Sequence, residues 1–306
     1  MVVDSAYLQY QLEDYCDELE VLRNLSSITI KNYKQTNGLF IKYLKTNSID
    51  LENEVENVLK KFIIYLKRER NNSYSTINKY IQQIIQFLNY LNINVELKLP
   101  KDNSKNKKIK YLRPDEVNEV LKTIDNNHIK DKAIIQTLYR TGLRVSELCN
   151  LKKENIDLNS NEDAIAIYVY EGKGGKDRTV YIDKKTVNLI TKMINENNKL
   201  SNKDNYLFTN AKGNRLTERT IQKIVKKYAV ATDKRLTDKG IYSGFTERLT
   251  PHTLRHSFTI FLLNYSNRPI NEVQQLLGHS NISTTQIYSK VDDKQIKKSY
   301  EDINWD

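Results

Sequence analysis

The chain has 306 residues, enough for two domains, and its 49 basic against 38 acidic residues leave a formal net charge of +11, which favours a polyanionic partner with nucleic acid foremost. The longest uninterrupted apolar run, Ala164 to Tyr170, has seven residues against the roughly 20 that cross a bilayer, so a helical membrane protein is excluded. Cys16 and Cys149 are too few for a disulfide framework or a thiolate zinc site, and Met1-Val2-Val3-Asp4 lacks the basic-then-apolar layout of a signal peptide. A soluble protein of a reducing cytoplasm is expected, with both thiols buried as small hydrophobes. Heavy use of Lys, Asn, Ile and Tyr also fits an AT-rich coding sequence, so charge alone does not specify DNA.

Residues 1–97 read as helices. Ser75 to Leu91 places Ile77, Ile81, Ile84, Ile85, Leu88 and Leu91 on one stripe. Similar spacing predicts helices over Thr29 to Leu44 and Val58 to Leu66, with a weaker pattern over Tyr7 to Leu22, and four such helices make a small bundle. From Lys98 to Lys110, lysines at 98, 101, 105, 107, 108 and 110 stand against the single acid Asp102. With Pro100 and a polar run this predicts an extended linker over 98–110, suited either to a solvated tether or to a chain that closes around a phosphate backbone.

From residue 111 to 306 the pattern is mixed. Arg113-Pro114-Asp115-Glu116 opens a helix with proline and acids in its first turn. Asp131 to Tyr139 reads as a buried helix broken at Gly142, and Val145 to Leu151 begins another. Ala164 to Tyr170 alternates as a strand, Glu171-Gly172-Lys173-Gly174-Gly175-Lys176 turns, and Thr179 to Ile182 returns, predicting a β-hairpin with a cationic, glycine-rich tip. Helices follow over Thr186 to Asn197, Thr217 to Tyr228, Thr253 to Asn264 and Asn271 to Leu277. No fixed-period repeat occurs.

His252, Arg255 and His256 share one helical face at i, i+3 and i+4. A metal site built from His252, His256 and His279 is disfavoured, because Arg255 would set a cation against a cation and no glutamate follows His252. His, Arg and His together suit an anion such as a phosphodiester. Arg144, just past the Gly142 break, and Lys173 and Lys176 on the hairpin tip are further cations for such a pocket, or ordinary surface charges. The sequence carries no Gly-x-Ser-x-Gly elbow, no Walker loop and no tight acidic cluster for paired magnesium ions. Tyr288 follows His279 by nine residues, and with a pKa near ~10 a tyrosine needs cationic neighbours to attack at neutral pH.

Together, Thr141-Gly142-Leu143-Arg144-Val145-Ser146-Glu147-Leu148, Gly172-Lys173-Gly174, His252-Thr253-Leu254-Arg255-His256, Leu277-Gly278-His279-Ser280 and Tyr288 resemble the tyrosine recombinase (phage integrase-like) family, and Leu276 to Tyr288 is most similar to its Xer type. The resemblance covers essentially the whole chain. It implies a mainly α fold with a small β-hairpin: an N-terminal helical core-binding bundle (1–97) and a C-terminal α+β catalytic domain (111–306). It further implies a DNA strand-exchange enzyme in which Tyr288 attacks a scissile phosphate and leaves a 3′-phosphotyrosyl link. Arg144 and Arg255 would clamp the non-bridging oxygens, Lys173 would protonate the leaving 5′-oxygen, and His252 and His279 would assist. His256 would orient its helix from behind the site, and Lys105, Lys107, Lys108, Lys110, Lys176 and Arg178 would contact the DNA backbone. No metal or other cofactor is implied. The implied partner is a double-stranded DNA recombination site, with four protomers, identical or shared with a paralogue, joining two sites. The tail from Asp292 to Trp305 is read as an amphipathic helix that docks on a neighbour.

Resolution of chromosome or plasmid multimers is the role expected, with a mobile-element integrase, a non-catalytic DNA-binding relative and a type IB topoisomerase as competing readings. Ala229 to Thr250 is longer than the corresponding Xer link, and its Lys234, Arg235, Lys239 and Arg248 suit either an extra DNA contact or a surface loop.

Overall fold

The computed structural model describes residues 5–49, 51, 54–101, 109–170, 177–196, 205–266 and 268–278. The chain divides into two compact units, Met1–Lys108 and Ile109–Asp306.

In the first unit, α1 (Ser5–Val21), α2 (Ser27–Thr46), α3 (Val55–Arg68) and α4 (Tyr74–Tyr90) pack around Leu12, Phe40, Phe62, Ile81 and Phe87, each 1% exposed or less. Two of these helices begin on serine caps: Ser26 Oγ accepts from Thr29 N at 3.3 Å and Ser73 Oγ from Thr76 N at 3.2 Å, satisfying amides that have no partner inside the helix. The start of the expected linker stays on this unit, since Leu97 and Leu99 pack on its core and the Pro100 carbonyl accepts from Asn78 Nδ2 at 3.0 Å.

The second unit opens with α5 (Pro114–Thr123) and α6 (Ile129–Thr141), followed by the short α7 (Val145–Asn150). Strands β1 (Ala164–Val169) and β2 (Arg178–Asp183) pair antiparallel from Ala164↔Asp183 to Val169↔Arg178, turning Ile165, Ile167, Val180 and Ile182 into the core. Helices α8 (Lys184–Glu196), α9 (Glu218–Thr237), α10 (Phe245–Arg248), α11 (Pro251–Ile260) and α12 (Ile270–Leu277) complete the described part, with a π-helical turn at Phe261–Tyr265. Helix α11 packs against α6, so the later histidine-bearing helix lies beside the Gly142 break.

The mainly helical fold with one small hairpin is as expected, and the boundaries that differ most are the ends of α9 and α11. Helix α9 runs nine residues past Tyr228, and α11 gives way to the π turn after Ile260. Cys16 and Cys149 are buried, and burial pushes each thiol up to about 11. Among the described residues, no helix is long and apolar enough to cross a membrane.

Candidate active site

Helix α6 ends because Gly142 turns left-handed (φ 63°), and the position has no room for a side chain: a Cβ there would collide with the Phe258 ring and come within 3.1 Å of Leu277 Cδ2. This reversal sets Arg144 as the cap residue of α7. Glu147, three positions on, reaches back with Oε2 to Arg144 N at 2.7 Å and with Oε1 to Arg144 Nη1 at 2.7 Å. The Arg144 side chain is 25% exposed, and its guanidinium is held by Glu147 through Nη1.

The same carboxylate takes a second, bidentate partner. Arg178 Nη1 and Nη2 donate to Glu147 Oε1 and Oε2, both at 2.8 Å, while Arg178 Nε donates to the Leu276 carbonyl at 3.3 Å. Burial alone would raise the Glu147 carboxyl, but the Arg178 guanidinium, the Arg144 amide and the Arg144 side chain outweigh it and hold the group at about 2. Arg178 was expected on the DNA backbone. Its side chain is only 9% exposed and its donors are engaged inside the unit, so the structure gives it an internal role instead.

Helix α11 starts on Thr250, whose Oγ1 accepts from Thr253 N at 3.0 Å, with Pro251 in the first turn. One turn on, Arg255 is 5% exposed. Its Nη1 donates to the Gly142 carbonyl and its Nη2 to the Leu277 carbonyl at 2.7 Å, so it joins the α6–α7 turn to the end of α12. His252 and His256 meet edge to face with ring centroids 4.1 Å apart. His252 titrates below the usual histidine range: partial loss of hydration comes first, and the Arg255 and Arg144 charges disfavour a third cation beside them. Arg144 and Arg255 therefore both lie near enough to His252 for their charges to act on it, and His256 packs edge to face on His252.

Lys110 lies on the surface of the second unit, where its Nζ donates to the Glu247 carbonyl at 3.4 Å. Lys105, Lys107, Lys108, Lys173, Lys176, His279, Tyr288 and the tail helix from Asp292 to Trp305 lie outside the described residues. Among the described residues, no group of three or more His, Cys, Asp and Glu is placed to hold a metal ion. In the sequence Glu147 and Gly278 stand out only as letters of motifs. The signal that finds Glu147 is the Arg-x-x-Glu spacing at a helix start, which predicts the back-bond but not the second arginine.

The segment 229–250 is neither an open loop nor, in two of its four cations, a free DNA contact. Arg235 Nη2 pairs with Glu119 Oε2 and Arg248 Nη2 with Glu116 Oε1, both at 2.7 Å, tying α9 and α10 to α5. Asp233 accepts from Phe245 N at 2.8 Å, Thr246 N at 2.6 Å and Ser243 Oγ at 2.6 Å, capping the start of α10 from a neighbouring helix.

A family model described as the phage integrase family matches residues 110–295, and one described as a phage integrase SAM-like domain matches residues 8–91. The chain belongs to the phage integrase family. This integrase-family chain is 32% identical to the tyrosine recombinase XerC of Actinobacillus succinogenes, covering 96% of this chain and 97% of that one. It is 30% identical to the tyrosine recombinase XerD of Oceanobacillus iheyensis, covering 96% and 98%. A solved structure of the Tn1549 transposon integrase in complex with transposon right end DNA shares the fold at a TM-score of 0.72 and 19% identity, covering 95% and 98%. As a tyrosine recombinase, the chain is a DNA strand-exchange enzyme whose class acts through a tyrosine nucleophile. Guanidinium forks and an imidazole are groups that suit a phosphodiester oxyanion.

Proposed function

We propose that this recombinase acts on a specific double-stranded DNA site, in the manner of the Xer proteins it resembles, and separates joined copies of a chromosome or plasmid. The observation that carries the reading is that Arg144 and Arg255 both lie near enough to His252 for their charges to act on it, in a chain at least 30% identical to tyrosine recombinases named XerC and XerD over nearly its whole length.

In this reading Tyr288 attacks the scissile phosphorus, forming the 3′-phosphotyrosyl bond as the bond to the 5′-oxygen breaks, and Lys173 delivers a proton to that leaving oxygen. Arg144 and Arg255 hold the non-bridging oxygens, each with a fixed planar fork, and stabilise the extra charge of the five-coordinate phosphorus. His252, kept neutral by partial loss of hydration and then by its two cationic neighbours, and His279 hydrogen-bond to the phosphate and handle the tyrosine proton. The phosphotyrosine conserves the bond energy, so religation by a 5′-hydroxyl needs no nucleotide. Lys105, Lys107, Lys108, Lys110 and Lys176 neutralise the DNA backbone, and four protomers pair two sites. Strand exchange by the purified protein alone marks a homotetramer; exchange only after a second recombinase is added marks a shared one.

The test uses a nicked suicide DNA carrying a site selected by binding, with EDTA present. Wild type traps as a covalent adduct on a 3′-phosphate and Tyr288→Phe does not. Metal-dependent cleavage that survives in Tyr288→Phe overturns the mechanism, and specific binding without any adduct favours a non-catalytic relative.

A further inference from the structure

Glu147, Arg178 and Gly278 take no part in the chemistry proposed above, yet the first two form a buried ion pair next to Arg144, and Gly278 lies against Arg178. The Glu147 carboxylate accepts four hydrogen bonds, two from Arg144 and two from Arg178. Burying an ion pair is costly, and a well-packed apolar pair of the same volume serves stability as well or better. A geometric task accounts better than stability for a pair so enclosed, with side chains 9% and 5% exposed.

The segments that this pair joins suggest the task. Glu147 fixes the start of α7, which presents Arg144. Arg178 opens β2, five positions after Lys173, and is the last rung of the hairpin ladder opposite Val169. Its Nε holds the Leu276 carbonyl, three positions before His279. Gly278 leaves the space this requires: a Cβ there would lie 2.7 Å from Arg178 Cδ and 3.1 Å from Nε, at a left-handed φ of 62°. Only a planar fork with several donors reaches both the carboxylate and the carbonyl. A lysine ammonium, a single point charge, would have to choose between them.

We propose that Arg178 is a positioning residue for the general acid: by bridging Glu147 and the Leu276 carbonyl it fixes the base of the hairpin that carries Lys173 relative to the Arg144 clamp. This rests on Lys173 acting as the proton donor. Its donors are engaged by Glu147 and the Leu276 carbonyl, so in this proposal its main effect falls on the step that Lys173 serves. The phosphate hold of Arg144 keeps its own contacts to Glu147.

Leaving-group chemistry isolates that step. Sulfur in place of the bridging 5′-oxygen departs as a thiolate and needs no proton, so it makes the general acid dispensable while leaving the phosphate clamp as necessary as before. Adduct formation is measured on suicide DNA with oxygen or sulfur at that position, for wild type, Arg178→Lys, Gly278→Ala and, as the control for a defective clamp, Arg144→Ala. Site binding and thermal unfolding are recorded alongside. Arg178→Lys is expected to be slower than wild type by about 10- to 100-fold with oxygen, and by less than about threefold with sulfur. Gly278→Ala, which pushes the same side chain from the opposite direction, shows the same selective recovery and keeps the test available if Arg178→Lys folds poorly. Arg144→Ala stays slow on both. An equal deficit on the two substrates in both Arg178→Lys and Gly278→Ala, or no deficit on either, overturns the proposal. Absence of any wild-type adduct on the oxygen substrate is a different failure: it removes the recombinase chemistry itself, and the proposal with it.

Discussion

Arg178 and Arg255 grip adjacent carbonyls at the end of α12: Arg178 Nε donates to Leu276 O at 3.3 Å and Arg255 Nη2 to Leu277 O at 2.7 Å. One arginine comes from the hairpin and the other from α11. Each also reaches the Gly142–Glu147 segment, Arg178 through Glu147 and Arg255 through the Gly142 carbonyl. The end of α12 is thus fixed from two directions, and both anchors meet the loop that presents Arg144.

The two arginines of the proposed clamp should fail differently. Arg144→Ala leaves Glu147 paired with Arg178, so unfolding stability changes by less than about 1 kcal/mol while adduct formation falls by at least about 100-fold. Arg255→Ala loses the same chemistry and also strands two carbonyls beside a buried void, for about 2–4 kcal/mol of destabilisation. Site binding survives in both when measured below the melting temperature. Denaturant unfolding and a suicide-substrate assay on the same samples separate the two cases, and equal stability losses would contradict the internal role of Arg255.

Glu147 makes stability depend on acid pH. Its carboxyl is held at about 2 against an ordinary 4.5, so its contribution is complete above 4.5 and is lost as pH falls through about 2. The difference corresponds to about 3 kcal/mol at most. Glu147→Gln should therefore flatten the wild-type fall in stability between pH 4.5 and 2.5. Unfolding free energies at several pH values in that window check this, and parallel curves for the two proteins would refute it.

Gly278→Ala combines a left-handed backbone with a Cβ crowding Arg178, and should cost about 1–3 kcal/mol. Gly38→Ala, at a position with nothing within 4 Å of a new Cβ, is the control and should be neutral or slightly stabilising. Thermal unfolding of both variants suffices.

Arg248→Gln should lower stability through its lost pair with Glu116, yet leave the salt dependence of DNA binding unchanged, because a guanidinium engaged internally releases no counterions on binding. Lys110→Gln, at an exposed lysine, should reduce the slope of log affinity against log salt by about 1. Titrations at several salt concentrations decide, and a reduced slope for Arg248→Gln would return that arginine to the DNA interface.

The amphipathic helices were legible wherever the buried stripe is made of Ile, Leu and Phe, as in α4. The last nine residues of α9 were not, because the buried positions there include Thr232, a polar residue that hides its hydroxyl by donating to the Tyr228 carbonyl at 2.7 Å. Arg144, His252 and Arg255 could be picked out because residue type and helical spacing coincide. The place of Arg178 could not, since its partner is 31 positions away and the pairing exists only once the hairpin packs on α7. The same holds for Arg235 and Arg248, which read as free cations in the sequence and find their carboxylates on α5.

The two buried cysteines bear on how the protein can be handled. A thiol reacts as its thiolate, and with both groups pushed up to about 11 the native chain presents almost none at neutral pH. Maleimide dyes or spin labels can then be directed to a single introduced cysteine without first removing Cys16 and Cys149, each of which fills space in a packed core. Distances between labels on the two units, with and without DNA, become measurable in an otherwise native molecule.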